Sequence, residues 1–180
     1  METDRLCLVD FTDVKSDNHL DGLATMNGDA EVMEFFPAML SQAESAAMLQ
    51  RLIDHRAAHG YAPFALHKKD DNAFIGFTGL MLADFEAHFT PAVEIGWRFV
   101  KSAWGQGFAT EAARACLSYG FDELGLTDIV SFTAAQNTRS IRVMEKIGMQ
   151  HKAADDFNHP HLTEGHALRH HVLYRIRSLK

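Results

Sequence analysis

The run from Val93 to Ala112 constrains the chain most. Val93-Glu94-Ile95-Gly96-Trp97-Arg98-Phe99-Val100 is rich in β-branched and aromatic residues and reads as a strand. A loop follows in which Gly105 and Gly107 bracket one residue. Glycine there lets the backbone take positive φ and approach another group closely. Ala109 to Ala115 are helix formers. The first amides of a helix have no internal partner, and its dipole favours negative charge there. The ligand group this pattern predicts is a phosphate or pyrophosphate. The same strand–Gly-x-Gly–helix pattern is also an ordinary tight connection, so the loop alone leaves both readings open. It is not a P-loop, since no Gly-Lys-Ser/Thr follows. It also lacks the third glycine of the dinucleotide fingerprint.

A second stretch, Asn137-Thr138-Arg139-Ser140-Ile141-Arg142-Val143-Met144-Glu145-Lys146-Ile147-Gly148-Met149, follows another strand candidate. Together the two resemble the GNAT superfamily of acetyl-coenzyme A-dependent N-acetyltransferases. That superfamily's signature loop, Gln/Arg-x-x-Gly-x-Gly/Ala, falls here on Trp104-Gly105-Gln106-Gly107-Phe108-Ala109. Trp104 departs from the general pattern. The longer run Trp-Gly-x-Gly-Phe-Ala-Thr-Glu-Ala is similar to the Rim-type branch, named for ribosomal-protein α-amino acetylation. The resemblance extends from Thr3-Asp4-Arg5-Leu6 to the strand near Tyr174.

The resemblance implies an α+β (mixed α/β) fold. Its central, mostly antiparallel twisted sheet splays between two parallel strands, with helices on both faces. Residues 1–180 then form a single N-acetyltransferase domain. Acetyl-coenzyme A is the implied co-substrate, taken into the splay. Phe99, Val100 and Lys101 are expected to meet its pantetheine through their backbone. The cofactor loop is Trp104, Gly105, Gln106, Gly107, Phe108, Ala109 and Thr110, with the amides of Gly105 to Thr110 on the pyrophosphate. Asn137 matches the family's contact to the cofactor arm, and it also suits an N-cap for a helix from Thr138.

The implied reaction is direct attack of a primary amine on the thioester, without a covalent enzyme intermediate. The alternative is a sensor or interaction module that binds acetyl-coenzyme A without turnover. Such a transfer needs a polarised carbonyl, an amine that has lost its proton, and an acid for the leaving thiolate. Many superfamily members carry a Tyr seven residues after the Asn, but here that place is Met144, which donates no proton. In the Rim-type branch a Ser matching Ser140 is proposed for the role; the alternative for Ser140 is a helix-surface hydroxyl bonded to backbone. If Val93 and Ile95 face the core, Glu94 faces the other side of the sheet with Gly96. It is either the base, directly or through water, or a surface or ion-paired carboxylate. Phe35, Phe36 and His161 are candidate walls of the acceptor pocket. The two Phe rings could equally cap the core.

The 180 residues suit one domain with a sizeable core. A net charge of −7 argues against a non-specific nucleic-acid binder. No apolar run approaches the length of a spanning helix, and the N-terminus lacks the form of a signal peptide. The expectation is a cytoplasmic protein without membrane or nucleic-acid partners, acting on a small-molecule or peptide amine as monomer or homodimer. Cys7 and Cys116 read as buried thiols. The histidines at 159, 161, 166, 170 and 171 match no metal-ligand spacing, so no metal is expected.

Further along, Asp17 to Gly28 reads as a helix capped by Asp17 or Asn18. Ser41-Gln42-Ala43-Glu44 is a capping box opening a helix to about His59, with Ala47, Met48, Leu52 and Ile53 on its apolar face. Gly76 and Gly79 suggest a bulge or close approach in the strand Ala73 to Leu82. A helix is expected over Thr110 to Leu124, strands over Thr127 to Ala135 and Met149 to Ala153, a polar loop over Asp155 to Gly165, and a last strand to Ile176.

Overall fold

A computed structural model of the chain describes residues 1–13 and 19–178. Strand β1 (Leu6–Val9) leads to helices α1 (His19–Asn27) and α2 (Gln42–His59). Strands β2 (Phe64–Lys68), β3 (Phe74–Ala83) and β4 (Ala92–Phe99) follow as an antiparallel meander. Then come α3 (Phe108–Ser118), β5 (Asp128–Ala134), α4 (Thr138–Lys146), the short β6 (Gln150–His151) and β7 (Phe157–Asn158), and β8 (His170–Arg177). The sheet order is β1-β2-β3-β4-β5-β8-β6, with β7 also on β8. Every pairing is antiparallel except β4 with β5. This is the expected mixed, mostly antiparallel sheet.

Strand alternation sorts the core into two layers. Phe64, Leu66, Ile95 and Phe99 pack with Phe108, Ala112, Cys116 and Met144 on the α3/α4 face. Ala65 and Phe77 pack with Leu23, Met26 and Leu52 on the α1/α2 face. The alternation changes phase in β3: Ile75 lies on the first face and Phe77 on the second. The register against β2 shifts at this place, a bulge at Gly76. A Cβ at Gly76 would stand 2.1 Å from the Arg98 carbonyl oxygen, and one at Gly79 2.5 Å from Pro63 Cα. Both glycines are there for close approach, as their positions in a strand suggested.

Several boundaries differ from expectation. The proposed cap of α1, Asp17 or Asn18, lies outside the described residues. The Ser41 capping box is present in both directions, and Gly60 ends α2 in the left-handed region. Ala47, however, is exposed; Ser45 and Leu52 are buried, with Met48, Leu49 and Ile53 beside them. Ser45 can go inside because Asn27 donates to its hydroxyl at 3.1 Å. Helix α3 starts at Phe108 rather than Thr110 and ends at Ser118. The chain then widens into a π-type turn over Tyr119–Glu123. Gly120 is pressed there, since a Cβ would come within 2.9 Å of Leu80 and 3.0 Å of Ile129. The strand expected over Met149 to Ala153 shrinks to two residues, and the loop after Asp155 holds β7. Cys7 is only half-buried, because the edge strand β1 leaves that side chain less covered than Cys116.

Candidate functional site

The loop between β4 and α3 is open. Gly105 and Gly107 have φ of 73° and 84°, the region only glycine enters freely. Gly107 precedes α3 with no side-chain cap. The amides of Gly105 to Thr110 therefore have no hydrogen-bond partner among the described residues. A Cβ at Gly105 would meet nothing within 4 Å. Bare N–H groups, helix dipole and free space fit a diphosphate. Arg5 adds a cation that the sequence reading gave no role. Its guanidinium lies over the Phe108 ring at 4.4 Å and donates to the Gln106 carbonyl at 2.9 Å. Glu111 orients it through Arg5 Nε at 2.7 Å and also accepts from Thr3. Burial alone would raise the Glu111 carboxyl, but bonds from Thr3 and Arg5 outweigh this and hold it below its usual range. A shallow depression with Arg5, Arg114 and Lys146 on its lining continues along the outer side of α3.

Beside this loop the two parallel strands part. β4 and β5 are in register only at Glu94 and Val130. Toward their C-terminal ends Trp97 bridges the widening gap, its indole donating to Ser140 Oγ at 3.0 Å. A Ser hydroxyl that accepts this bond keeps its own proton free to donate. Asn137 caps α4 by accepting from the Ser140 amide at 3.2 Å and donates to Thr133 at 2.9 Å. Its N-cap role is thus present. Met144 is buried in the core, so the place of the family's Tyr is filled by packing. Backbone groups near the splay are partly committed. The Val100 N–H goes to the Ile75 carbonyl at 3.0 Å. The Phe99 carbonyl accepts the Trp104 indole at 3.0 Å. The Lys101 N–H, at the start of a single 3-10 turn, has no backbone partner among the described residues.

The α1/α2 face of β4 carries Glu94, Gly96 and Arg98. Glu94 makes no hydrogen bond or ion pair among the described residues. A Cβ on Gly96 would sit 3.7 Å from its Oε1. The side chain keeps partial solvent contact, yet protein surrounds it, and burial pushes its carboxyl up to about 8. On one side of it Phe85, Phe89, Phe132 and Phe157 gather around Val130. His159 lies 4.8 Å from Phe85 and 5.1 Å from His171, ring centre to ring centre. Burial, then the neighbouring His171 and His161, bring His159 down to about 4. His161 is exposed at the rim of this cluster, 6.0 Å from Phe85.

On the other side of Glu94, the Arg98 guanidinium lies over Phe36 at 3.9 Å. Phe35 is 5.6 Å from Arg139, which also covers Trp104 at 4.4 Å. The segment 29–40 that carries both Phe rings is tied down at two points. Glu31 pairs with Lys101 after β4, and Glu34 with Arg139 at 2.7 Å at the start of α4. The structure thus brings Glu94, Phe36 and the aromatic cluster to one sheet face and Ser140 to the other side of the splay. His161 stays at the edge. Arg98 was legible as a charge in phase with Glu94 on an otherwise apolar strand. Arg5 and the four-Phe cluster carry no local sequence signal, since contacts across the chain assemble them. Among the described residues no three His, Cys, Asp or Glu side chains stand ready for a metal ion.

A sheet parting between its parallel strands, with uncapped amides beside the gap, defines the class: an acyltransferase that uses acetyl-coenzyme A. The chain belongs to the GNAT acetyltransferase family, since residues 5–150 match the family model described as an acetyltransferase (GNAT) domain. YkkB of Bacillus subtilis (strain 168), described as an uncharacterized protein, is 31% identical over 133 residues, 73% of this chain and 76% of its own. The uncharacterized N-acetyltransferase YnaD of the same organism is 32% identical over 122 residues, 68% of each chain. An acetyltransferase (GNAT family) crystal structure from Bacillus anthracis superposes with a TM-score of 0.77 at 25% identity, covering 98% of this chain and 97% of that one. RimL, a ribosomal L7/L12 α-N-protein acetyltransferase solved with coenzyme A, shares the fold at a TM-score of 0.74 and 18% identity, over 97% and 95% of the chains. No described helix is long and apolar enough to cross a membrane.

Proposed function

We propose that residues 1–180 act as one domain that moves an acetyl group from acetyl-coenzyme A to a primary amine by direct attack. Acetyl-coenzyme A supplies the activated acetyl group. The amides of Gly105 to Thr110, with Arg5 beside them, hold the diphosphate. Phe99, Val100, Lys101, Trp104 and Asn137 border the cofactor arm. Glu94 takes the amine's proton, directly or through water. A carboxyl already raised to about 8 is a stronger base than an exposed one. An arriving ammonium supplies the counter-charge that its surroundings lack. Ser140 donates to the departing thiolate while the Trp97 indole fixes its position. Phe35, Phe36 and His161 border the acceptor.

The observation that carries this reading is the uncapped start of α3 opening beside the β4/β5 gap. It is tested by calorimetry with acetyl-coenzyme A, followed by thiol release with a panel of amines. Saturable binding with turnover is expected. Folded protein without binding would end the proposal; binding without turnover of any amine would favour the sensor alternative.

A further inference from the structure

Arg98 is a half-buried cation with no anion beside it among the described residues. It sits on the β4 face that carries Glu94, two positions beyond Gly96. Its guanidinium lies between Phe36, at 3.9 Å, and Phe77, at 5.5 Å. Its one strong bond, 2.6 Å, runs from Nη1 to the neutral Asn27 amide oxygen. Met48 Sδ lies 3.9 Å from the same Nη1. No carboxylate of the described residues pairs with it. Nε is enclosed and unpartnered, and Nη2 makes no hydrogen bond among the described residues. Of these two nitrogens Nε is enclosed, so Nη2 is the donor left open to a carboxylate through a charge-assisted bond. An unmade bond on a buried charged group is costly.

Glu94 presents the opposite case, an unpaired acid. At ~3.3 Å per residue, the two α-carbons stand about 13 Å apart along one strand face. Between them lies Gly96, where an added Cβ would meet only Glu94 Oε1, at 3.7 Å. An unpaired acid and an unpaired cation flanking this glycine on one strand face complement a ligand of reversed polarity.

Resting on the reading of Glu94 as the base, we infer that the acceptor is an amine that also carries a carboxylate. The amine lies at the Glu94 end, and the carboxylate is received by Arg98 at Nη2, its unpartnered nitrogen that is not sealed inside the protein. Arg98 is then a specificity determinant for the charge on the acceptor's far end. Asn27 holds it in place without cancelling it. Asn27 is itself completely buried and also donates to Ser45.

The test compares ω-amino acids, from glycine to ε-aminocaproate, each with its own neutral carboxamide. Thiol release is read at saturating acetyl-coenzyme A. Wild type is expected to prefer one carboxylate over its amide by roughly tenfold to a hundredfold in kcat/KM, as one charge-assisted hydrogen bond provides. Arg98→Met should bring that ratio to near one. Because Arg98 also packs on Phe36, Asn27→Asp is the second variant. It keeps the arginine and its stacking but supplies an internal anion, and it should abolish the preference too. Equal rates for acid and amide in wild type would overturn the inference, as would a preference that survives in both variants. If no member turns over, thermal shift decides: stabilisation by one amino acid but not by its amide upholds the anion site, and equal effects refute it. Acetyl-coenzyme A calorimetry on the same preparation reports separately on the acyltransferase reading.

Discussion

Replacing Glu94 by Gln removes the charge while keeping the shape, and the structure fixes both sign and size of the effect. Burial raises the carboxyl from 4.5 to about 8, with no hydrogen bond or ion pair to oppose it. The folded protein therefore favours the protonated form, while the unfolded chain releases the proton near 4.5. Below that pH both states hold the proton and the residue costs nothing. As pH rises from about 4.5 to 8 the unfolded state gains, and stability falls until the folded group also ionises. Each tenfold in the ionisation equilibrium is about 1.4 kcal/mol, so the ceiling is roughly 5 kcal/mol. Partial solvent contact lowers the expectation to about 2–3 kcal/mol. Urea unfolding of wild type and Glu94→Gln at matched pH values isolates this contribution, because all other groups titrate in both. The variant should match wild type near pH 4 and exceed it by about 2–3 kcal/mol near pH 9, while losing acetyl transfer. A stability difference that does not change with pH would show that the carboxyl ionises as in water, and the argument for a raised base would fail.

Gly107→Glu should abolish acetyl-coenzyme A binding in calorimetry, since it sets a carboxylate among the amides and forces a left-handed residue with φ of 84° to carry a side chain; unchanged affinity would show that the loop is not the diphosphate site. Ser140→Ala should lower kcat about tenfold with little change in KM for acetyl-coenzyme A, and leave the Trp97 indole without its acceptor, readable as a shifted fluorescence maximum. An unaltered kcat would return Ser140 to a purely structural place. Gly79→Ala should destabilise by more than about 3 kcal/mol, because the new methyl collides with Pro63 backbone at 2.5 Å and the neighbouring strand cannot yield cheaply. Thermal unfolding within a few degrees of wild type would contradict the close approach.

What the chain revealed before folding depended on how local the cause was. The strand–loop–helix at Val93 to Ala112 was legible because each step rests on neighbouring residues: β-branched strand, glycine turn, helix formers. The Ser41 capping box and the Gly60 stop were legible for the same reason. The bulge at Gly76 was signalled by a glycine in a strand, but not the change of phase it imposes on Ile75 and Phe77. Ala47 was misplaced because an Ala fits either face of a helix, whereas Ser45 looked polar and was buried only by virtue of Asn27. The end of α3 was set by Leu80 and Ile129 pressing on Gly120, which no local pattern could show. Within the site, the fingerprint residues stood out, while the four-Phe cluster, Arg5 beside the loop and the Trp97–Ser140 bridge come from contacts between distant segments.

The ties from Glu31 to Lys101 and from Glu34 to Arg139 have a consequence for how the site responds to salt. One strap of chain is hasped to both jambs of the doorway between β4 and β5, and it carries the ring that roofs Arg98. Each exposed tie is worth about 1 kcal/mol or less and weakens as salt rises. The strap's hold on the two strand ends therefore slackens as ionic strength rises, while the Phe36 ring on Arg98 stays in place by packing.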